Sequence, residues 1–169
     1  MSKLKGIYLA SFKAYHPNYD IVYQDINGKR DIGGDMMEVD LTPYDFIIAT
    51  PPCNWYSKAN YRRNTSEYAL KTKHLLPDII EKLNVLSKPF IVENVQNNSL
   101  IPHKWDKILY VYILGRHTYW SNIPFKYDDL EFPVQQKQKF AKTKRQGGEN
   151  VHKVIERWLE TIHEIYKNR

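Results

Sequence analysis

Residues 44–57 of this chain read Tyr44-Asp45-Phe46-Ile47-Ile48-Ala49-Thr50-Pro51-Pro52-Cys53-Asn54-Trp55-Tyr56-Ser57. The apolar run is typical of a buried strand, and Pro51 and Pro52 end it because proline cannot donate to a sheet ladder. Cys53, the only cysteine of the chain, follows at once. Ligands bind at the carboxyl ends of strands in open parallel sheets, so this stretch predicts a reactive thiol at a functional edge. The alternative is a small buried side chain, the commonest state of a free cysteine.

Length and composition indicate one domain spanning residues 1–169, with 42% hydrophobic and 26% charged residues. A single cysteine cannot form an internal disulfide, and the six histidines show no ligand spacing on a shared face, so we predict no metal site. The chain has no leading apolar segment and no apolar run of the roughly 18 to 20 residues that span a bilayer. We therefore expect a cytoplasmic protein that does not enter membranes.

The positive charge of the chain is concentrated after the cysteine. Residues 1–50 contain five Lys/Arg and seven Asp/Glu, whereas the remainder contains 20 and 12, and the net charge is +6. A basic surface suits a polyanion such as DNA, although it also serves solubility alone. Aromatic residues alternate with cations in residues 54–64, a pattern that suits an unstacked base and its phosphates. The candidate nucleic-acid contacts are Ser57, Arg62, Arg63, Lys142, Lys144 and Arg145; the alternative for the last three is a solvated loop.

The order of predicted elements is that of an α/β domain. Strands over residues 5–11 and 20–25 are joined by a segment without helical period, so the first crossover helix is missing or very short. A helix from Thr65 or Ser66 to about residue 86, kinked or broken at Pro77, leads to a buried strand over residues 89–92. Right-handed strand–helix–strand crossover then places Cys53 and Glu93 at the same edge of the sheet.

Two further elements follow. Strands over residues 108–114 and 117–120 predict a hairpin whose turn presents Arg116, a residue that equally suits a plain surface turn. The chain ends in a helix, since apolar residues keep a helical period from Val151 to Ile165.

A thiol and a carboxylic acid at one edge suit chemistry on a pyrimidine. A thiolate adds to C6 of the ring, an acid hydrogen-bonded to N3 stabilises the developing charge, and C5 becomes nucleophilic. A base inside a duplex must be flipped out before C6 can be reached, which requires phosphate contacts and pocket walls. Cys53 and Glu93 are the candidates for nucleophile and acid; in the alternative interpretation Glu93 is a strand-end carboxylate paired with a cation.

These residues resemble the catalytic motifs of the DNA (cytosine-5)-methyltransferases. The Pro-Pro-Cys of residues 51–53 is similar to the nucleophile loop of that family, and the Glu-Asn-Val of residues 93–95 to its acid motif. Residues 115–120 look like a shortened Arg-x-Arg motif, in which Arg116 matches the first arginine and Thr118 stands in place of the second. The resemblance implies a compact, divergent member with a Rossmann-like methyltransferase sheet, few helices in its N-terminal half, DNA as substrate and S-adenosylmethionine as methyl donor.

The same resemblance implies cofactor contacts. Asp25 and Asp35 are candidates for the ribose and adenine groups, and Asn150 lies in a segment similar to a late family element whose helix packs near the cofactor. As an alternative, both aspartates are turn residues. Residues 11–18 contain no glycine, although the family has a glycine-rich turn after its first strand.

About twenty residues stand where the family carries a large target-recognition domain, which implies low sequence specificity or specificity supplied by a protein partner. Two alternatives stay open: covalent chemistry on another base, donor or nucleic acid, and a degenerate, non-catalytic module that binds DNA or protein. Small size and a composition rich in lysine, asparagine, isoleucine and tyrosine suit a phage with an AT-rich genome.

Overall fold

The chain forms a mixed six-stranded sheet with helices on both faces. A computed structural model describes residues 3–97, 99–131 and 143–168, without the side chains of residues 143–149. The elements in chain order are β1 (Lys5–Leu9), β2 (Asp20–Tyr23), β3 (Phe46–Ala49), α1 (Glu67–Thr72), α2 (Leu75–Asn84), β4 (Phe90–Val95), β5 (Tyr110–Leu114), β6 (His117–Ser121) and α3 (Thr143–Lys167). The strand order is β2-β1-β3-β4-β6-β5. Strands β2, β1, β3 and β4 are parallel, and the β5–β6 hairpin continues the sheet in antiparallel pairing.

Strand β3 lies at the centre of the sheet and is buried along its whole length. Such a strand carries a continuous apolar run because both of its faces are covered. Ile47 and Ala49 belong to the core under α2, whereas Phe46 and Ile48 belong to the core under α3. We call these two sides the α2 face and the α3 face of the sheet. The double burial explains why the apolar run of residues 46–49 has no polar alternation.

The helical region after the cysteine contains two helices rather than one. Ser66 caps α1, and its hydroxyl accepts the amide of Ala69 at 3.3 Å. The predicted break at Pro77 was wrong, because α1 ends at Thr72 and Pro77 lies in the first turn of α2. A proline in the first turn of a helix removes no intrahelical hydrogen bond, so it is compatible with the start of α2.

Residues 10–19 join β1 to β2 without a helix, as predicted. The first helix within residues 3–97 begins at Glu67. In place of a crossover helix, the C-terminal helix α3 packs on the α3 face of the sheet. Its Val154, Trp158 and Ile162 are fully buried in a cluster that includes Tyr8 of β1 and Ile21 of β2. Among the described residues, no helix is both long and apolar enough to cross a membrane.

Candidate active site

The cysteine segment is attached directly to strand β4. Ile48 pairs with Ile91 and Ala49 with Val92 in the parallel β3–β4 ladder, so both strands end at the same edge. Beyond the ladder, the side-chain amide of Asn94 donates to the carbonyl of Pro51 at 3.1 Å. The structure therefore brings the Pro-Pro-Cys and Glu-Asn-Val segments together, which confirms the predicted shared edge.

Cys53 opens a tight turn with its side chain partly exposed. Its carbonyl accepts the amides of Tyr56 at 3.0 Å and Ser57 at 2.8 Å. Two contacts hold Tyr56: its hydroxyl donates to the carbonyl of Lys73 at 2.7 Å, and its carbonyl accepts the side-chain amide of Asn97 at 2.7 Å. Burial raises the pKa of Tyr56 to about 12, so its hydroxyl remains a donor at neutral pH. These contacts fix the C-terminal end of the turn that carries the thiol.

Glu93 is buried and hydrogen-bonded to a histidine that sequence reasoning missed. The Nδ1 atom of His117 lies 2.6 Å from Oε1 of Glu93. Glu93 pairs with Tyr119 in the β4–β6 ladder, so His117, two residues before Tyr119, is its diagonal neighbour on the same face. Only the register between β4 and β6 reveals this pair; the sequence signal was no more than the position of His117 directly after Arg116.

Two buried tyrosines border Glu93 on the α3 face. Burial, and then the negative charge of Glu93, raises the pKa of both Tyr8 and Tyr119 well above the ordinary value of 10.0. The hydroxyl of Tyr119 is buried and has no hydrogen-bond partner within the described part of the chain. Glu93 therefore lies against aromatic side chains that keep water away from it.

Tyr119→Phe is expected to raise the free energy of unfolding by about 1 kcal/mol at pH 7, because it removes a buried hydroxyl without a partner. The pKa of Tyr119 is raised in the folded state, so the stability linked to that pKa is complete below pH 10 and decreases as pH rises above it. The advantage of the variant should therefore grow by about 1.4 kcal/mol per pH unit above 10. Urea unfolding followed by circular dichroism at pH 7 and pH 11 measures both effects.

The matched control is Tyr61→Phe, since the Tyr61 side chain is 85% exposed and should change neither value. A lower stability of Tyr119→Phe at pH 7 would show that the hydroxyl makes a stabilising contact.

Arg116 is exposed in the turn of the β5–β6 hairpin, as predicted. Its carbonyl accepts the amide of Gln96 at 2.7 Å, which holds the turn beside the end of β4. Its guanidinium makes no hydrogen bond or ion pair with Glu93, both residues lying in the described part of the chain. Thr118, at the position of the family's second arginine, is fully buried and its hydroxyl is unpaired there.

Asp25 and Asp35 both stabilise turns, in line with the alternative interpretation of their role. Oδ1 of Asp25 accepts the amide of Lys29 at 3.1 Å, and Oδ1 of Asp35 accepts the amide of Met37 at 2.9 Å. Asp25 is buried, whereas Asp35 is exposed and lines a shallow depression of about 470 Å³. Asn150 is buried on α3, and within the described residues it makes no hydrogen bond to either aspartate.

Gln24 connects the loops at this edge, and sequence reasoning missed it. Its Oε1 accepts the amide of Ala10 at 2.8 Å, and its Nε2 donates to the carbonyl of Gly34 at 2.6 Å. The backbone carbonyl of Gln24 accepts the amide of Ser11 at 2.8 Å. One buried glutamine thus joins the loop after β1 to the segment that contains Asp35.

The loop after β1 has glycine-like backbone angles without glycine. Ala10 and Lys13 have φ of 53° and 63°, in the left-handed region that glycine normally occupies. A side chain in that region costs on the order of 1 kcal/mol, so surrounding contacts must hold the loop. The amides of Ala10, Ser11 and Ala14 are all bonded within the protein, which leaves none of the three for a ligand.

The candidate nucleic-acid contacts differ in their surroundings. The guanidinium of Arg63 donates to the carbonyls of Trp55 at 2.8 Å and Ser57 at 2.7 Å, so this side chain stabilises the loop that follows Cys53. Arg62 is exposed to solvent. The hydroxyl of Ser57 accepts the amide of Ala59 at 3.3 Å. Lys142 lies outside the described residues, and Lys144 and Arg145 begin α3 with side chains that are likewise not described.

Two histidines without ligand spacing in the sequence lie close together in the structure. His16, His152 and Glu156 offer ligand atoms that all lie within 4.8 Å of one another. His16 comes from the β1–β2 connection and the other two from α3, so no local spacing in the sequence could show the cluster.

Fold and site together define an α/β protein with a cysteine and a carboxylic acid at the carboxyl edge of a mixed sheet. The family model for C-5 cytosine-specific DNA methylases matches residues 3–113, about two thirds of the chain, and the chain belongs to this family. The match contains Cys53 and Glu93 and ends before Arg116 and α3. No curated protein and no solved structure shows significant similarity to the chain. A function of the DNA cytosine methyltransferase type follows from the family, whose members use S-adenosylmethionine and act on DNA.

Proposed function

We propose that this protein methylates C5 of cytosine in DNA by covalent catalysis, with Cys53 as nucleophile and Glu93 as acid on a Rossmann-like methyltransferase sheet. The observation that carries the proposal is the hydrogen bond from Asn94 to the carbonyl of Pro51. It holds the nucleophile segment against the strand of the acid, and proximity of this kind is a large part of the catalytic effect.

Cys53 and Glu93 act on opposite sides of the same ring, one on C6 and the other on N3. The thiolate of Cys53 forms a bond to C6 of a flipped cytosine while Glu93 donates a proton to N3, which leaves a neutral enamine that is nucleophilic at C5. After C5 has reacted, a water molecule acting as base takes the proton from C5 and the thiolate departs, which restores the aromatic ring. Glu93 recovers its proton from N3 in the same stage. The buried position of Glu93 strengthens its hydrogen bond to the base because little water competes.

His117 is the residue that orients Glu93. The 2.6 Å contact fixes one carboxyl oxygen, which leaves the other oxygen to face the base. With its proton on Nδ1, His117 donates to Oε1 of Glu93, which leaves the acid proton for the other oxygen. Oε1 accepts this hydrogen bond whether Glu93 is protonated or ionised, so Glu93 keeps its partner before and after proton transfer.

The loops after β1 and β2 fit the nucleoside part of S-adenosylmethionine, which supplies the methyl group when bound. Asp25 and Asp35 each use one carboxylate oxygen in their own turns, so the second oxygen of each can accept a hydroxyl or amino group. Ile26, directly after Asp25, is 70% exposed and Phe12 is 69% exposed. Exposed apolar side chains beside carboxylates suit the flat face of a purine and its ribose.

The backbone amides of Ala10, Ser11 and Ala14 in the loop after β1 are hydrogen-bonded within the protein, so they do not offer donors to a cofactor. This observation favours a second candidate function, a non-catalytic module that binds DNA. In that case Arg62 and the basic surface would hold the duplex without any methyl donor. Isothermal titration with S-adenosylmethionine separates the two candidates. Absence of binding at millimolar ligand would contradict methyl transfer, and a gel shift with duplex DNA would then support the module.

If the cofactor binds, the wild-type protein should form a complex with a 5-fluorocytosine duplex that survives denaturing electrophoresis. Fluorine at C5 cannot leave as a cation, so the adduct at C6 is not resolved after methylation. A duplex with ordinary cytosine is the matched control and should give no complex that survives denaturing electrophoresis.

A further inference from the structure

Three side chains of types that can bind metal ions meet between the β1–β2 connection and α3. Nδ1 of His16 lies 2.7 Å from Oε1 of Glu156, and Nε2 of His152 lies 3.5 Å from the same oxygen. His152 and Glu156 are separated by one helical turn on α3 and therefore project on the same side. His16 reaches them from a connection 140 residues earlier than Glu156.

We propose that His16, His152 and Glu156 form a binding site for a divalent transition-metal ion of the zinc type, with solvent as the fourth ligand. Two imidazole nitrogens and one carboxylate oxygen are a ligand set that zinc, cobalt and nickel accept readily. Glu156 and His152 are partly exposed, at 24% and 47%, so the ion and its water have access from solvent.

The distances are close to those of a loaded site. Metal–ligand bonds of about 2.0 to 2.2 Å in a tetrahedron place neighbouring ligand atoms about 3.3 Å apart. The separations of 2.7 and 3.5 Å lie on either side of that value. The ion would take the place of the proton shared by His16 and Glu156, whose atoms would need to separate by about 0.6 Å.

One imidazole is fixed and the other can adjust. His16 is 1% exposed, stacks on Tyr8 and donates its backbone amide to the hydroxyl of Tyr23 at 2.6 Å. The ring of His152 stacks on that of His16 at 4.4 Å with an angle of 4° between the planes. The nitrogen lone pairs of two parallel rings do not point at one ion. The His152 side chain is about half exposed, so its ring would rotate when the ion binds.

A metal here would fasten the loop after β1 to α3. His16 ends the segment that contains Ala10 and Lys13, the two residues with left-handed angles. Tyr19 also attaches this connection to α3, since its ring lies 4.8 Å from that of His163. A bound metal would add a second attachment, independently of whether the protein methylates DNA.

The test uses the full chain after removal of metal by a chelator and dialysis. Titration with Co²⁺ should give visible d–d absorption bands that saturate at one equivalent, and equimolar Zn²⁺ should bleach them. Zinc in 100-fold excess over Kd should raise Tm by about 5 to 10 °C. Absence of both signals in the wild-type protein would overturn the proposal.

His152→Ala and Glu156→Gln should weaken Co²⁺ binding at least 10-fold, an effect in the range usual for a lost ligand or ligand partner. His163→Ala is the matched control, since His163 lies on the same helix outside the cluster, and Cys53→Ala tests for binding at the thiol; both should keep the bands. His152 is half exposed, so its variant should fold, which far-ultraviolet circular dichroism checks. Unchanged Co²⁺ binding by His152→Ala would place the metal elsewhere and overturn the assignment.

Discussion

Cys53→Ala is expected to abolish the covalent complex with a 5-fluorocytosine duplex and to lower kcat by more than about 10⁴-fold. Without the nucleophile, only binding and electrostatic stabilisation remain to accelerate the reaction. The expected loss is therefore large. Denaturing electrophoresis of the labelled duplex measures the complex, and transfer of a radioactive methyl group measures kcat.

The loss should be chemical and not structural. The Cys53 side chain is partly exposed, and the carbonyl of Cys53 and the side chain of Tyr56 hold the turn. The Kd for the duplex in a gel shift should therefore stay within about 3-fold, since phosphate contacts supply most of the affinity. The control is Asn64→Ala, an exposed position in the same loop, which should trap DNA like the wild type. An unaltered yield from Cys53→Ala would remove Cys53 from the mechanism.

Glu93→Gln is expected to lower kcat by about 10² to 10⁴-fold with little change in KM. Glutamine has the shape of glutamate and can still contact Nδ1 of His117, but it cannot deliver a proton to N3. Single-turnover kinetics with the methyl-transfer assay separates the chemical step from binding.

Two further results bear on this prediction. Glu81→Gln, at an exposed carboxylate on α2 that forms an ion pair with Lys104, should leave kcat unchanged. Activity of Glu93→Gln near that of the wild type would mean that another group protonates N3, and Glu93 would then be a structural partner of His117.

The central parts of the site could be predicted because they depend on local order along the chain. The apolar run before Pro51 predicts β3, and the crossover rule places Cys53 and Glu93 at one edge; the ladder of β3 with β4 confirms both. The hairpin that presents Arg116 was predicted in the same way, from two short strands around Gly115. The helix break was predicted at the wrong residue, because proline is compatible with the first turn of α2.

The remaining contacts could not be predicted because they join residues far apart in the chain. The hydrogen bond of His117 to Glu93 depends on the exact register of β6 against β4, and a shift of one residue would turn His117 to the other face. The contact of Arg63 with two loop carbonyls depends on the path of a loop that has no repeating pattern. The Arg63 guanidinium was predicted to contact phosphate, but in the structure it donates to the loop's own carbonyls.

By itself, the sequence indicated the proposed chemistry, because the positions of a cysteine after two prolines and of a carboxylic acid on the next strand are set by local order along the chain. The tertiary structure alone decided which groups surround them. His117 reaches Glu93 only through strand pairing, and His16 meets His152 and Glu156 only because α3 packs on the face left open beside β1 and β2. Local order is set by backbone stereochemistry over a few residues, whereas these long-range contacts are set by how buried surfaces pack across the whole sheet.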